Sequence, residues 1–520
     1  MMSNRLNKRR LLPTLFIAFA LSGCGSSSTT PAVDAKLLQQ RLDEFVTAVT
    51  KPDPASEVIA KAEGTAKVDT ASDGTVTATL PRLTVSSKEG GSAVLDPITL
   101  RFANGGDGLV NVEAKLPSSL AIKDKDGKVE GEVQIGSQAL KAVWSEKLQS
   151  LSGVDMRLTN LAIKSSTSSG SGSIGQIAFT GKLESKGSGL YDGRYDATLT
   201  GFTVDDPEQK TTMKMGSISV VSTIKGAKME EWAKAAKEAG YTLANPNLFK
   251  AWTGGTLDAK MIAFLKRMPE LMGDVSYTYA LNGIDMTQDG KPSFGMKESS
   301  IGFGASADGQ GTTKLRMNFS VGGLSAGAGE ELLPPEADIQ NAAIEIDATG
   351  VPGKQLWDIY VDALPALQAE AAKMAGDTAT GASDPTSAGV SALEGVSEEV
   401  SAKAMQVMSA AKLAIALNQI SMVTPTARLT GKGAMSYLPA QSLMPEGKVT
   451  LRFTGIDALA SAMQKRGKND EMAQQIMGIT SGIRAMGKPD PTSSASDRAY
   501  IIDIVFGKDG SISANGQKVF

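Results

Sequence analysis

Residues 199–204 read Leu199-Thr-Gly-Phe202-Thr-Val204, and the spacing of their apolar positions decides the fold class. A strand with one buried face carries apolar side chains at every second residue. Leu199 and Phe202 are three apart, so the alternation slips and then resumes at Val204. A β-bulge, one extra residue in one strand, accounts for such a slip, and Gly201 suits the bulged place. The stretch recurs as Leu80-Pro-Arg-Leu83-Thr-Val85, Leu158-Thr-Asn-Leu161-Ala-Ile163, Leu281-Asn-Gly-Ile284-Asp-Met286 and Leu417-Asn-Gln-Ile420-Ser-Met422, with a partial copy at Phe453-Thr-Gly-Ile456. The intervals are irregular but often near multiples of about forty residues, the range of supersecondary repeats.

A polar loop and a second β-type run follow the copies, such as Ile174-Gly-Gln-Ile177-Ala-Phe179 or Met215-Gly-Ser-Ile218-Ser-Val220. Asp73-Gly74, Asp126-Gly127, Asp289-Gly290, Asp308-Gly309, Asp509-Gly510 and Asn515-Gly516 supply residues that tolerate the positive φ of tight hairpins. Leu315, Met317, Phe319 and Val321 alternate with Arg316, Asn318 and Ser320, a strand with one apolar and one wet face. The expected class is α+β: a large bulged antiparallel β-sheet, curved or half-barrel, with helical insertions packed on one face.

Helical spacing interrupts this pattern. Asp34 to Thr50 reads as an amphipathic helix capped by Asp34. Further helices are expected over Lys228–Ala239, Leu257–Met272, Gln355–Met374 (with Pro365 breaking or kinking it), Val396–Leu417, and Ile456 to about Met486. Tyr500–Phe506 and Gly510–Phe520 read as a closing hairpin. The division expected is a β-rich repeat-hairpin body with helices over 34–375, a Gly/Ala/Ser/Thr-rich mobile linker over 376–390, and a helical segment with closing hairpins of the same body over 391–520.

The N-terminus has a secretory signal architecture: Arg5, Lys8, Arg9 and Arg10, then a mostly apolar Leu11–Leu21. Its ending, Leu21-Ser22-Gly23-Cys24, resembles a bacterial lipobox. The resemblance implies a signal peptide over 1–23, cleavage after Gly23, diacylation of the Cys24 sulfur and a flexible tether over 24–33. Gly25 stands where an Asp would suggest inner-membrane retention in some Gram-negative bacteria, so the periplasmic face of the outer membrane is favoured. The apolar stretch is short for a bilayer span, so acyl chains would carry the attachment.

Composition narrows function mainly by exclusion. Loss of residues 1–23 takes the formal charge of the 520-residue chain from −3 to −7, since four basic side chains and no acid leave. No basic stripe remains outside the signal, which argues against nucleic-acid binding. There is no histidine, the usual proton shuttle and metal ligand. With the single Cys24 committed to lipid, no thiolate chemistry or internal disulfide remains, and no cofactor or metal is expected.

Several short motifs invite chemistry and are set aside on context. Gly323-Leu-Ser325-Ala-Gly327 matches a nucleophile elbow, which needs strand, turn and helix around it and normally a histidine. Gly170, Gly172 and Gly175 have dinucleotide-type spacing inside a hairpin-loop composition. Gly482 to Lys488 approaches a phosphate-binding loop, but Pro489 replaces the metal-binding hydroxyl and the run ends a helix. Asp124, Asp126, Glu130 and Glu132 read as a solvated turn, without EF-hand spacing. Ser222 with Lys225, and Ser409 with Lys412, keep a Ser-Lys dyad as the least excluded enzymatic route. Of the 22 methionines, Met405, Met408, Met472 and Met477 are expected to fill gaps between helices. Met286, Met296 and Met317 lie in or near strands, where core packing or a groove lining are the two readings.

The C-terminal ending, Gly455-Ile-Asp-Ala-Leu459 followed by Tyr500-Ile-Ile-Asp-Ile-Val-Phe506, Asp509-Gly510 and Asn515-Gly516-Gln517, together with the bulged hairpins, resembles an alphaproteobacterial envelope family of unknown function. It is also similar to the YdgA-like and AsmA-like β-rich envelope proteins. The resemblance implies a non-enzymatic lipid-anchored envelope protein and supplies no catalytic residues. The leading expectation is binding of lipid or another apolar ligand in a groove for envelope maintenance. The alternative is a scaffolding lipoprotein with no small-molecule ligand. Protein partners are left open.

Overall fold

The computed structural model describes residues 33–50, 58–87, 91–148, 150–165, 170–240, 257–307, 311–326, 334–379, 385–437, 445–466, 470–494 and 498–519. Within them the chain crosses one antiparallel sheet again and again. The first four crossings are each broken in two: β1 (Val58–Glu63) and β2 (Lys67–Thr70), β3 (Val76–Leu80) and β4 (Arg82–Ser87), β5 (Ser92–Leu95) and β6 (Ile98–Gly106), β7 (Leu109–Lys115) and β8 (Ser119–Lys123). Eight long strands follow: β9 (Val129–Ser145), β10 (Ser150–Ser165), β11 (Ser171–Gly187), β12 (Leu190–Asp206), β13 (Thr211–Ala227), β14 (Asp274–Gln288), β15 (Lys291–Ala307) and β16 (Thr313–Ala326). The sheet is completed by β17 (Asn341–Val351), β18 (Leu413–Val423), β19 (Arg428–Tyr437), β20 (Glu446–Thr454), β21 (Lys488–Pro489), β22 (Tyr500–Phe506), β23 (Ile512–Ala514) and β24 (Gln517–Lys518).

Each crossing pairs with the crossing before and after it. The paired halves β7 and β8 lie along the two halves of β9, and from β9 to β20 every strand pairs with its successor. The first and last crossings do not meet, so the sheet stays open among the described residues. The expected class, a large antiparallel sheet with helical insertions, is the observed one.

The three-residue step has a different cause from the one the sequence suggests. Asn160, Gly201, Gly283 and Gly323 hold positive φ of 54°, 64°, 65° and 59° on alternate strands β10, β12, β14 and β16. Register is the same on both sides of each: Thr159 faces Ser137 and Leu161 faces Ile135, for example. No residue is inserted. Instead the neighbouring strand makes the same slip opposite, at Gly136, Gly175, Gly216 and Lys297. A Cβ on Gly136 would stand 2.8 Å from that of Asn160, and one on Gly216 would stand 3.0 Å from the Asn282 carbonyl oxygen. The result is one crease running across the sheet. In the first four crossings it coincides with the breaks at Pro81, Pro97 and Pro117, where proline cannot extend the ladder. The Gln138 side-chain amide spans the break at Leu116, donating to its carbonyl and accepting from its N–H, both at 2.7 Å. The copy at 417–422 is a true bulge, with Asn418 and Gln419 opposite Lys432. The copy at 80–85 marks the break between β3 and β4, and the partial copy ends β20 at Gly455.

Because the slip occurs on every strand from β9 to β16, the apolar face passes through the crease unbroken there. On one side of it Met156, Phe179, Ala197, Val220, Tyr279, Ile301, Phe319 and Ile344 stand in register across eight strands. On the other, Ile163, Gly172, Val204, Met213, Met286 and Phe294 do the same. The reverse face is polar, with Thr278, Gly302, Asn318 and Glu345 in one row.

Seven α-helices occupy the described residues. In α1 (Ala35–Thr50), Asp34 Oδ1 accepts from the N–H groups of Lys36 and Leu37, as expected of an N-cap. Leu38, Leu42 and Val46, one turn apart, pack onto β3, β6, β7 and β9, where Phe102 and Trp144 are fully buried. Helices α2 (Met229–Glu238) and α3 (Ala259–Leu271) sit between β13 and β14, and α4 (Gly353–Ala379) and α5 (Pro385–Ala410) between β17 and β18. Trp357 of α4 donates its indole N–H to the Leu265 carbonyl at 2.7 Å, tying these two insertions together. Helices α6 (Ile456–Arg466) and α7 (Glu471–Met486) lie between β20 and β22, with Ile456 and Ile483 packed on Tyr500 and Phe453. Asn515 donates to the Met486 carbonyl at 2.6 Å and so caps α7 from the closing hairpin.

Three local expectations need correction. Of the kink or break expected at Pro365, the break is absent, since helix α4 runs through that residue without ending. Residues 376–379 and 385–390, expected in a mobile linker, belong to α4 and α5 although most of them are weak helix formers, with Pro385 suited to the first position of α5; residues 380–384 lie outside the described residues. The helix expected over Val396–Leu417 stops at Ala410, and Leu413 onward pairs as β18, because Leu413, Ile415 and Leu417 alternate at the strand period.

On the polar face, Asp347 of β17 is buried and accepts from Arg316 at 2.8 and 3.0 Å, with Lys314 at 2.8 Å. Hydrogen bonds from Arg316 hold its carboxyl well below the usual carboxylate range, against the opposing effect of its burial. Because the folded value is depressed, the pair's contribution is complete above the unfolded aspartate value of about 3.9 and is lost as pH falls through the folded value. Asp347→Asn is therefore expected to lower stability at pH 7, where the pair's contribution is complete, and to cost progressively less as pH falls below about 4, which flattens the acid limb of the stability–pH curve. Urea titrations at pH 3 and pH 7 check this; an unchanged acid slope contradicts it.

Candidate functional site

The apolar face is not covered evenly. Near β14, β15 and β16 the large side chains Tyr277, Tyr279, Ile301, Phe303, Leu315, Met317 and Phe319 are 36–46% exposed. They form one patch: Tyr277 faces Phe303 and Phe303 faces Met317, while Tyr279 faces Ile301 and Ile301 faces Phe319. Strand alternation explains why all seven share a side, since 277 and 279, 301 and 303, and 315, 317 and 319 each differ by two. With roughly 150–250 Å² per large side chain, the patch leaves on the order of 500 Å² of apolar surface in water. That is near the upper end of what a monomer carries without an interaction to explain it.

Residues 262–508 match a family model described as an uncharacterized protein conserved in bacteria (DUF2125). The matched span begins inside α3 and ends just beyond β22, so it contains the whole patch. No curated protein and no solved structure matches the chain. The resemblance to a bacterial family of unknown function therefore stands at this level.

The sequence-derived candidates fall in separate places. Cys24 and the signal segment lie outside the described residues. Gly323, Leu324 and Ser325 lie within β16 paired to β15, with no strand–turn–helix around the serine, and Gly327 lies outside the described residues. Gly172 and Gly175 lie in β11 instead of opening a helix. Gly487 ends α7, as expected, its N–H bonded to the Ile483 carbonyl. Asp124 Oδ1 accepts from the N–H groups of Asp126 and Lys128 at 2.9 Å, which makes 124–128 a hairpin turn. Among the described residues no group of three or more Asp, Glu, His or Cys could hold a metal ion.

The Ser-Lys pairs are not assembled as dyads. Ser222 and Lys225 are three apart on β13 and project to opposite faces, and Lys225 is exposed. Ser409 donates instead to the Gln406 carbonyl at 2.8 Å, and Lys412 is exposed beyond the end of α5. The methionines divide. Met286 and Met317 take places in the rows of the apolar face. Met477 packs among the α6–α7 residues Leu459 and Met463, whereas Met405 is 70% exposed and fills no gap. A hollow of about 470 Å³ beside α1 is lined by Asp43, Thr47, Thr50, Lys61 and Thr65 among others, far from the patch. Asp43 is occupied there, accepting from Gln39 and from the Ala66 N–H.

What sequence reading missed is the patch as a site. Leu315, Met317 and Phe319 are legible as an apolar strand face, and Tyr277 with Tyr279, and Ile301 with Phe303, carry the same alternation. The lack of cover over them is a property of where the insertions land.

Proposed function

We propose that the chain is a non-enzymatic, lipid-anchored envelope protein that binds acyl chains on the open part of its apolar sheet face. The carrying observation is the patch centred on Phe303: seven large apolar side chains side by side, two-fifths exposed, on a face whose other parts form a core. Acyl chains suit it because burial of apolar surface is non-directional, at roughly 25 cal/mol per Å². The patch asks for no ion or matched hydrogen bond. Anchoring through Cys24, in the periplasm and with the outer membrane favoured, belongs to the same proposal and rests on the signal-like N-terminus.

The test is titration with a fatty-acid probe whose fluorescence rises in apolar surroundings. Saturable binding is expected, weakened at least tenfold by Phe303→Asp combined with Phe319→Asp. A probe that does not bind, or binds the double variant equally well, sinks the proposal and leaves a scaffolding role as the working description.

A further inference from the structure

Exposure along a single row of the apolar face rises and falls. Ala142 on β9 is 5% exposed and Val154 on β10 is 7%; Tyr277, Phe303 and Met317 reach 38%, 45% and 39%; Val449 on β20 is back to 8%. The row is continuous in register between these points. Ala142 at the early end belongs to the core that α1 completes, and near the late end α6 and α7 pack on Phe453, on the same strand as Val449. On β11 and β12 the Tyr195 ring lies over Gly181 and stacks on Phe179 at 6.2 Å, which closes the early side further.

From this bounded profile, and resting on the acyl-chain reading above, we infer that the face is a closed-ended basin holding one diacyl phospholipid per chain, not a track that passes lipids from end to end. The open part is three strands wide, about 14 Å, enough for two acyl chains lying side by side, each about as wide as one strand spacing. Its area, on the order of 500 Å², is below the ~800 Å² per partner of a stable protein interface, so a second protein copy is a poor fit. A lipid enters over the open middle, because both ends of the row are covered.

The experiment is native mass spectrometry of the full chain, released from detergent micelles after titration with phosphatidylethanolamine or with palmitate. The expected result is a single phospholipid adduct that saturates. Phe303→Asp should weaken it at least tenfold, while Thr278→Asp on the reverse face of β14 leaves it intact. Tyr279→Asn is a milder second variant should Phe303→Asp lower the thermal midpoint. Several phospholipids per chain, all sensitive to Phe303→Asp, overturn the single-lipid basin and keep the acyl-chain reading. Palmitate adducts without phospholipid adducts also overturn it. No adduct sensitive to Phe303→Asp removes both.

Discussion

Phe102→Ala is expected to lower the free energy of unfolding by about 3–5 kcal/mol, whereas Phe303→Ala should cost less than about 1 kcal/mol. The two phenylalanines occupy equivalent places on one continuous face. Phe102 faces Val76 on one side and Val112 on the other, beneath α1, and has no exposed surface. Its removal leaves a cavity that rigid neighbours cannot fill, so the lost transfer energy and the cavity both count. Phe303 is 45% exposed; its loss removes part of its cross-strand contact with Tyr277 and Met317 and creates no enclosed void. Urea unfolding monitored by far-UV circular dichroism checks the pair. Equal costs would mean that something covers Phe303, and the binding site proposed for that surface would be lost. Unequal costs in the stated order separate the part of the face that holds the fold together from the part left available to a ligand.

The same face shows what was legible in the sequence. Alternation in 315–321 gave a strand with one apolar side, and the repeated Leu-x-x-apolar step marked where each strand changes hand. A single strand cannot say whether its neighbour slips too. Gly136, Gly175 and Gly216 carry that information, but they read as ordinary loop or strand glycines until the register places them opposite Asn160, Gly201 and Gly283. The fourth crease residue, Gly323, sits in Val321-Gly-Gly-Leu324, the same step again. It was masked by the nucleophile-elbow pattern that begins at that glycine. The site was half legible for a similar reason. Apolar composition follows from the local pattern, but exposure depends on α1, α6 and α7 covering other parts of the face, a long-range outcome with no local signature.

Gly350→Ala is expected to cost roughly 3 kcal/mol or more, and Gly290→Ala only about 1 kcal/mol, although both glycines hold φ near +74°. The difference lies in what surrounds them. At Gly290, in the β14–β15 turn, a Cβ meets nothing within 4 Å, so only the left-handed backbone penalty applies. At Gly350 a Cβ would stand 2.0 Å from the Lys412 carbonyl oxygen, where the chain leaves the sheet for α4 and returns from α5. The α2–α3 insertion is fixed in the same way, since a Cβ on Gly273 would meet the Lys225 oxygen at 2.2 Å, whereas at the start of the α6–α7 insertion one on Gly455 would meet the oxygen of Thr426, in the β18–β19 turn, at 1.9 Å. Each insertion thus adjoins a glycine pressed against a backbone oxygen, and adding a methyl at Gly350 or Gly273 forces the two ends of its insertion apart. Thr349 and Gly350 form a bulge beside Leu315, which pairs with Ala348 at the edge of the patch. The disturbance should therefore reach ligand binding: Gly350→Ala is expected to weaken acyl-probe affinity several-fold as well as lower the thermal midpoint, while Gly290→Ala lowers the midpoint slightly and leaves affinity alone. Equal losses of stability would show that the Lys412 carbonyl yields freely. A destabilised Gly350→Ala with unchanged affinity would show that the α4–α5 insertion is anchored independently of the patch.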